Sequence, residues 1–187
     1  MILGYKDVVK QLESYGRLDF IAHSVANSSD NFRKILEQLR PIPKRALEIG
    51  THFGISSSIL AGLCDYVYTV DVRRSEETTI VWGLFNVRHK IKYVICKDRD
   101  EIREVIKPFV YDFVFIDGYH NYANVKADYE MVAPRMNPVN ILFHDIHCTG
   151  VDKFIEEIVA QKLAELAYLG DYKFKGIFTW KDRRNEY

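Results

Sequence analysis

The sequence has no excess of charge of either sign. Its 187 residues include 26 Lys and Arg and 26 Asp and Glu, so the formal net charge at pH 7 is zero. A chain that binds nucleic acid or an anionic membrane through its overall field would carry a clear positive excess. The balance favours a small molecule as ligand, and we expect neither nucleic acid nor a membrane as partner.

Long apolar runs and paired cysteines are missing as well. No run approaches the length that crosses a bilayer, and the start, MILGYKDVVK, lacks the apolar core of a signal peptide. The three cysteines are widely spaced and form no CxxC pair, which argues against a disulfide framework or a zinc knuckle. We therefore expect a cytoplasmic protein whose cysteines are small, mostly buried side chains.

What the sequence does contain is enough apolar material for one domain with a sizeable core, since hydrophobic residues make up 48% of it. Residues 1–43 show helical periodicity that stops at PIP, and they are predicted to form an N-terminal helical extension. Residues 44–187 alternate short apolar runs with amphipathic segments. Such an alternation indicates a parallel sheet covered by helices on both faces. We predict a single Rossmann-like α/β domain with a mostly parallel sheet.

Polar residues stand where the predicted strands end. The predicted strands cover 45–50, 66–72, 91–96, 111–117 and 139–145, with strand-like residues at 172–180, and the predicted helices cover 55–64, 75–89, 98–107, 122–133 and 151–169. In sheets of this kind, ligands bind beyond the carboxyl ends of the strands. The residues found there are Glu48, Gly50, Asp71, Asp98, Asp117, Gly118, His144 and Asp145. These residues are the predicted site.

The stretch RALEIGTHFG, residues 45–54, ends a strand on an acid and two glycines. Glycines allow a sharp bend and a close approach of a ligand, and the helix that follows offers free N–H groups. Asp71 comes about 20 residues later, where an acid can accept hydrogen bonds from ribose hydroxyls. The pattern fits an adenosine-containing cofactor, although an ordinary loop is the alternative. Neither GxGxxG nor GxxxxGK[ST] is present, which argues against NAD and against a P-loop.

The motif EIGTHFG and the segment YDFVFIDGYHNYANVKADYEMVAPRMNPVNILFHD resemble class I S-adenosylmethionine-dependent methyltransferases. The closest resemblance is to the methyltransferase-24 branch, which is similar to macrocin and catechol O-methyltransferases and to cephalosporin-hydroxylase-like proteins. The resemblance spans residues 45–145 and extends to the final strands, and it implies a seven-stranded, mostly parallel sheet whose last strand is antiparallel. The sequence departs from the pattern at His52, where many members have glycine, and at NPVN (137–140), where the branch usually has Pro-Gly-Gly.

This resemblance implies a cofactor, S-adenosylmethionine, and a role for most residues of the predicted site. By resemblance, the cofactor-binding residues are Glu48, Gly50, Thr51, Gly54, Asp71, Asp98 and Asp117. The turn residues would line the methionine end, Asp71 would hold the ribose, and Asp98 would meet the adenine amino group. Glu48 would steady the loop or meet the amino-acid part. The alternative for Asp98 is a pure helix cap.

The resemblance also implies a metal and a base. Asp117 and Asp145 would hold a divalent ion, Mg or Mn, with His144 as a further ligand. His120 would be the catalytic base, and Asp117 would be a second catalytic residue. The alternatives are a hydrogen-bonded polar cluster without metal, and a His120 that only caps the next helix. His147 is more simply a loop residue.

The implied reaction is O-methylation of a small-molecule or glycosyl hydroxyl. The main alternative is a non-catalytic module of the same fold that binds S-adenosylmethionine or a nucleotide. An NAD-linked oxidoreductase is disfavoured by the glycine spacing. A nucleic-acid aminomethyltransferase is disfavoured because IDGY stands where an Asn/Asp-Pro-Pro-Tyr motif would hold an extruded base. A homodimer through the N-terminal helices is a further expectation.

Overall fold

The computed structural model describes residues 5–16, 29–39, 41–135, 140–146, 148–160, 164–167 and 175–179. Every structural statement below concerns these residues. Residues 136–139, which include most of the NPVN departure, and His147, predicted as a loop residue, lie outside them.

Five parallel strands form the framework of the domain. They are β1 (Arg45–Ile49), β2 (Tyr66–Asp71), β3 (Ile91–Ile95), β4 (Phe113–Ile116) and β5 (Asn140–Phe143). The strands lie in the order β3-β2-β1-β4-β5, and every neighbouring pair runs parallel. The four residues of β4 are all buried, as expected for a strand covered on both faces. The order reverses between β1 and β4, which is where such sheets open a ligand crevice. The predicted Rossmann-like α/β framework is confirmed.

Two short strands follow the last helix. They are β6 (Ala164–Ala167) and β7 (Lys175–Thr179), and β7 pairs antiparallel with both β5 and β6. The prediction of one helix over 151–169 was wrong, because the helix ends at Ala160 and β6 lies inside the predicted range. The stretch AELA has good local helix propensity, but pairing with β7 provides a backbone ladder that overrides it.

Seven α-helices are described. They are α1 (Tyr5–Ser14), α2 (Ser29–Gln38), α3 (Ile55–Leu63), α4 (Glu77–Leu84), α5 (Arg99–Ile106), α6 (Tyr122–Val132) and α7 (Thr149–Ala160), with 3-10 turns at Arg88–Lys90 and Ala133–Arg135. The helix predicted over 75–89 stops at Leu84, because Asn86 takes a φ of 51°, in the left-handed region. Among these helices, none combines the length and apolar character needed to cross a membrane.

The sheet separates two apolar layers. Helices α5, α6 and α7 cover one face, while α1, α2, α3 and α4 cover the other. Phe32 of α2 is fully buried, and its ring centroid lies 4.8 Å from that of Phe115 in β4. Burial of one such side chain contributes roughly 1.5–3 kcal/mol. The N-terminal helices therefore share a core with the sheet and fix the strands whose carboxyl ends form the site.

Candidate active site

A cavity of about 790 Å³ opens at the carboxyl edge of the sheet. The predicted site residues in its lining are Gly50, Thr51, Asp71, Asp98, Asp117, Gly118, His120, His144 and Asp145. The strand ends thus bring the glycine turn, the four downstream acids and the two histidines to one space. Among the described residues of the predicted site, Glu48 and Gly54 stand outside this lining.

The glycine turn is packed against the end of β4. Gly50 has a φ of +100°, and a Cβ on it would lie 2.2 Å from the carbonyl oxygen of Asp117. Its N–H donates to the carbonyl of Val70 at 2.9 Å. Any side chain at this position would be strained and would push the turn away from β4. The absence of a side chain at Gly50 therefore allows the floor of the cavity to contact Asp117.

Asp71 holds the turn from the end of β2. Its Oδ2 accepts the N–H groups of Thr51 and His52, both at 2.9 Å, and its Oδ1 accepts the N–H of Arg73 at 3.0 Å. The bond to His52 helps to stabilise that residue at a φ of 46°, which is unusual for a residue with a side chain. A carboxylate has about four lone-pair positions, so Asp71 retains acceptor capacity toward the cavity.

Glu48 lies beneath the turn and is completely buried. One carboxyl oxygen is hydrogen bonded to Ser56 Oγ, and the other to Thr69 Oγ1 at 2.6 Å. Thr69 is in turn 2.6 Å from the hydroxyl of Thr51. Burial raises the pKa of Glu48 to about 8, so the side chain is protonated at neutral pH. Glu48 was expected either to steady the loop or to meet the amino-acid part of the cofactor. These contacts fit the first role.

Asp98 is a helix cap and also part of the cavity wall. Its Oδ1 accepts the N–H of Glu101 at 2.9 Å at the start of α5, while Glu101 accepts the N–H of Lys97 at 2.7 Å. The other oxygen, Oδ2, lies 4.0 Å from Lys97 Nζ. The cap uses only one of the two carboxylate oxygens, so it does not exclude the predicted adenine contact.

Two carboxylates and two imidazoles meet at the ends of β4 and β5. His144 Nδ1 lies 2.9 Å from Asp117 Oδ1 and 3.4 Å from Asp145 Oδ1. The ring nitrogens of His120 lie 3.4 Å from Asp117 Oδ1 and 3.5 Å from Asp145 Oδ2. Each histidine therefore bridges both acids. Among the described residues these four each offer one ligand atom, and the four atoms lie within 4.8 Å of one another.

The acids and the histidines shift one another's pKa. Burial alone would lower the pKa of His144, but the charge of Asp117 and the hydrogen bonds to both acids raise it to about 9. The hydrogen bond to Asp117 raises the pKa of His120 despite its partial burial. Burial would raise the pKa of Asp117, but the two histidines hold it below its ordinary value. The acids thus favour the protonated form of the histidines, and the histidines favour the ionised form of Asp117.

Two side-chain contacts that stabilise the walls of the cavity were not predicted from the sequence. Trp82 of α4 donates its Nε1–H to the carbonyl of Gly54 at 3.0 Å, and a Cβ on Gly54 would lie 2.6 Å from that nitrogen. Arg99 is paired with the buried Asp128 of α6, and both line the cavity. Asp128 closes the motif D-G-x-H-x-Y-x-x-V-x-x-D, so its position was visible in the sequence even though its partner was not.

Comparison with protein families identifies the domain. A family described as a methyltransferase domain, of the methyltransferase-24 type, matches residues 47–146. The chain belongs to this family. The matched region of the methyltransferase includes the glycine turn, Asp71, Asp98 and all four residues of the polar cluster. The predicted membership of this methyltransferase family is confirmed.

One curated relative of the methyltransferase is the uncharacterized protein y4gI of Sinorhizobium fredii, which is 30% identical over 138 residues. The match takes in 63% of this chain but only 15% of the relative's length. The chain therefore corresponds to a small part of that longer protein.

Solved structures share the fold of the methyltransferase at low sequence identity. The O-methyltransferase from Bacillus cereus in complex with SAH has a TM-score of 0.72 and 19% identity, with 92% of this chain and 90% of that chain covered. TomG from Streptomyces achromogenes, an O-methyltransferase of tomaymycin synthesis in complex with SAM, has a TM-score of 0.68 and 18% identity, covering 94% and 88%. CalS11, a TDP-rhamnose 3'-O-methyltransferase of calicheamicin biosynthesis, has a TM-score of 0.61 and 14% identity, covering 95% and 93%.

Proposed function

We propose that this methyltransferase uses S-adenosylmethionine to methylate a hydroxyl oxygen of a small molecule or a sugar. The observation that carries the proposal is that one cavity joins the glycine turn and Asp71 to the cluster around Asp117. The first part suits an adenosine-containing cofactor, and the second suits the removal of a proton from an acceptor. Relatives of the same fold are O-methyltransferases by name, and two of them hold SAH or SAM.

In the proposed cofactor site, the turn meets the methionine part of the cofactor and Asp71 accepts hydrogen bonds from the ribose. Asp98 Oδ2 faces the adenine amino group. The residues assigned to the cofactor are Glu48, Gly50, Thr51, Gly54, Asp71, Asp98 and Asp117. Within this set, Glu48 acts from beneath the turn through Ser56, which lines the cavity. When bound, S-adenosylmethionine supplies a methyl group that is already activated by the sulfonium charge.

The protein's task is then to orient the acceptor and remove its proton. His120 is the proposed base, because its ring lies in the cavity wall and its Nε2 hydrogen bonds to Asp117 Oδ1, which leaves Nδ1 to accept the proton. That bond holds the ring in position and stabilises the imidazolium formed after proton transfer. Asp117 therefore has a catalytic role as the partner of His120. His144 Nδ1 contacts the same oxygen, Asp117 Oδ1, at 2.9 Å.

The cluster also fits a divalent metal. Asp117, Asp145 and His144 are the proposed ligands, and His120 lies close enough to join them. Carboxylates suit Mg and Mn, while the imidazoles favour Mn over Mg. A bound metal would lower the pKa of the acceptor hydroxyl and orient it. The alternative function is a non-catalytic module of the same fold. Such a module would not need acids paired with histidines beside the cofactor cavity.

Several broader expectations remain proposals. Residues 44–187 would form the methyltransferase domain, with 1–43 as its helical extension. The sheet would be completed to seven strands with the last strand antiparallel, which the backbone pairing of Lys175–Thr179 supports. The acceptor would be a small molecule with a hydroxyl, with no nucleic acid or membrane as partner. The protein would act in the cytoplasm, and the N-terminal helices would offer a surface for a homodimer.

Transfer of a labelled methyl group tests the proposal. The protein is incubated with S-adenosylmethionine carrying a trideuteromethyl group and with a panel of phenols, catechols, free sugars and nucleotide-linked sugars. Mass spectrometry should detect the label on an acceptor oxygen together with an equal amount of S-adenosylhomocysteine. A label found on nitrogen or carbon would contradict O-methylation. A chain that binds S-adenosylhomocysteine but labels no member of the panel would favour the non-catalytic alternative.

A further inference from the structure

Gly150, the second residue of α7, does not need to be glycine for its backbone conformation. Its φ lies outside the left-handed region, whereas the positive-φ glycines among the described residues are Gly16, Gly50 and Gly54. Where the backbone is helical, alanine is the better helix former, because glycine loses more conformational freedom on folding. The reason for a glycine at position 150 must therefore be sought in its packing.

The space that a side chain at Gly150 would occupy is filled by the loop that carries His120. A Cβ on Gly150 would lie 2.5 Å from the carbonyl oxygen of His120 and 2.5 Å from the amide nitrogen of Tyr122. Both distances are about 1 Å shorter than the ~3.5 Å at which non-bonded heavy atoms pack. Both atoms belong to the backbone, so neither can rotate away as the end of a flexible side chain would. Residues 120–122 can therefore rest directly on α7 only because Gly150 has no side chain.

The start of α7 is itself held in place beside the end of β5. The carbonyl of Asp145 accepts the N–H of Cys148 at 2.8 Å, and the carbonyl of Cys148 accepts the N–H of Val151 at 2.9 Å. Val151 is buried in the apolar layer on this face of the sheet. A second contact lies further along the helix, where the hydroxyl of Tyr122 donates to Glu157. The same helix thus holds both the residue that follows β5 and the loop that follows β4.

We propose that Gly150 is a positioning residue that sets the place of the His120 ring between the two acids. The inference rests on the proposed role of His120 as the base. The ring nitrogens lie 3.4 Å from Asp117 Oδ1 and 3.5 Å from Asp145 Oδ2, at the outer limit of hydrogen bonding. A displacement of the loop by about 1 Å would change both contacts, and a misplacement of this size can lower turnover roughly 10²-fold.

The test replaces Gly150 with Ala and records the histidine ring resonances by NMR at one fixed pH. The His120 signals are assigned by their loss in His120→Ala. Gly150→Ala should shift the His120 resonances, because the added methyl moves the backbone of that residue. Gly83→Ala is the matched control, since Gly83 also lies in a helix and a Cβ there would have nothing within 4 Å. It should leave the His120 resonances unchanged.

Two binding and kinetic measurements separate positioning from general damage. Gly150→Ala should bind S-adenosylhomocysteine as tightly as the parent protein does in calorimetric titration, because the glycine turn and Asp71 are untouched. Its turnover on an acceptor found in the labelled-methyl panel should fall roughly 10²-fold, with the KM for S-adenosylmethionine unchanged. A folded Gly150→Ala variant with the parent's His120 resonances and the parent's turnover would overturn the inference.

Tyr122→Phe decides the question if Gly150→Ala does not fold. It removes only the hydroxyl that ties the loop to Glu157, and Glu157 keeps its ion pair with Lys126 at 3.1 Å. The His120 resonances should then shift in a folded protein, and resonances identical to those of the parent would overturn the inference. Failure of the parent protein to bind S-adenosylhomocysteine would instead overturn the proposed function, while a shift of the His120 resonances would still show that α7 positions the ring.

Discussion

Replacing Asp71 with Asn should separate the support of the turn from recognition of the cofactor. The carboxylate of Asp71 accepts two N–H groups of the turn through Oδ2 and one N–H through Oδ1. Asn has a single acceptor oxygen, and the two N–H groups of Thr51 and His52 will hold it, since the amide NH₂ would repel them. The NH₂ then takes the place of Oδ1, where it meets the N–H of Arg73 instead of accepting it, and the ribose hydroxyls lose a charged acceptor.

The magnitude follows from the bonds that are lost. Two hydrogen bonds from ribose hydroxyls to a carboxylate contribute about 1.5–3 kcal/mol each, and water compensates part of that loss. A net loss of about 2–4 kcal/mol corresponds to an increase of about 30- to 700-fold in the Kd for S-adenosylhomocysteine. Calorimetric titration of the variant and the parent protein measures this change directly.

Asp112→Asn provides the matched control. Asp112 Oδ2 accepts two consecutive backbone N–H groups, those of Lys44 and Arg45 at 3.0 and 2.9 Å, and it lies at the opposite edge of the sheet. Both variants should lower the free energy of unfolding by about 1–2 kcal/mol, but only the change at Asp71 should weaken the ligand. Equal affinities in the Asp71 variant and in the parent protein would refute the assignment of the ribose to Asp71.

Three further perturbations address the polar groups of the site. His120→Ala should lower turnover by about 10²–10⁴ with little change in cofactor affinity. Because Asp117 raises the pKa of His120, the rising limb of the parent's pH–rate profile should lie above the usual histidine range, and a limb that survives in the variant would exclude His120 as the base. Glu48→Gln should remove a pH dependence of stability measured by urea unfolding. The folded state keeps a proton up to about pH 8 that the unfolded state releases near 4.5, so the parent's stability should fall relative to the variant as pH rises between these values. Asp145→Asn should abolish Mn²⁺ binding measured by electron paramagnetic resonance, and retained binding would contradict the proposed ligand set.

The strands and the residues that follow them were accessible to sequence analysis for a physical reason. Buried parallel strands must be apolar throughout, so an acid such as Asp71 at the end of an apolar run marks the strand's carboxyl end. Parallel strands place those ends at one edge, which is why Asp98, Asp117 and Asp145 could be assigned to one cavity. The resemblance of the motifs then supplied the class of enzyme.

Other features depend on packing between distant segments. The pairing of Arg99 with Asp128 joins residues 29 positions apart and exists because α5 and α6 pack side by side on the sheet. The sequence of β6 favours a helix locally, and its pairing with β7 could not be foreseen from local propensity. Asp71 was predicted to face the ribose, but its bonds to the turn became visible only when the strand end and the loop were placed together.

The cavity beside Gly50 and Asp71 is the proposed binding site of the adenosyl cofactor of a methyltransferase. Calorimetric titration of the parent protein with S-adenosylhomocysteine, in parallel with NAD, tests this assignment. We expect one site per chain for S-adenosylhomocysteine, lost on Gly50→Ala because the added methyl would meet the carbonyl of Asp117, and no measurable heat with NAD. Binding of NAD in preference to S-adenosylhomocysteine, or binding of S-adenosylhomocysteine that a folded Gly50→Ala variant retains in full, would contradict it.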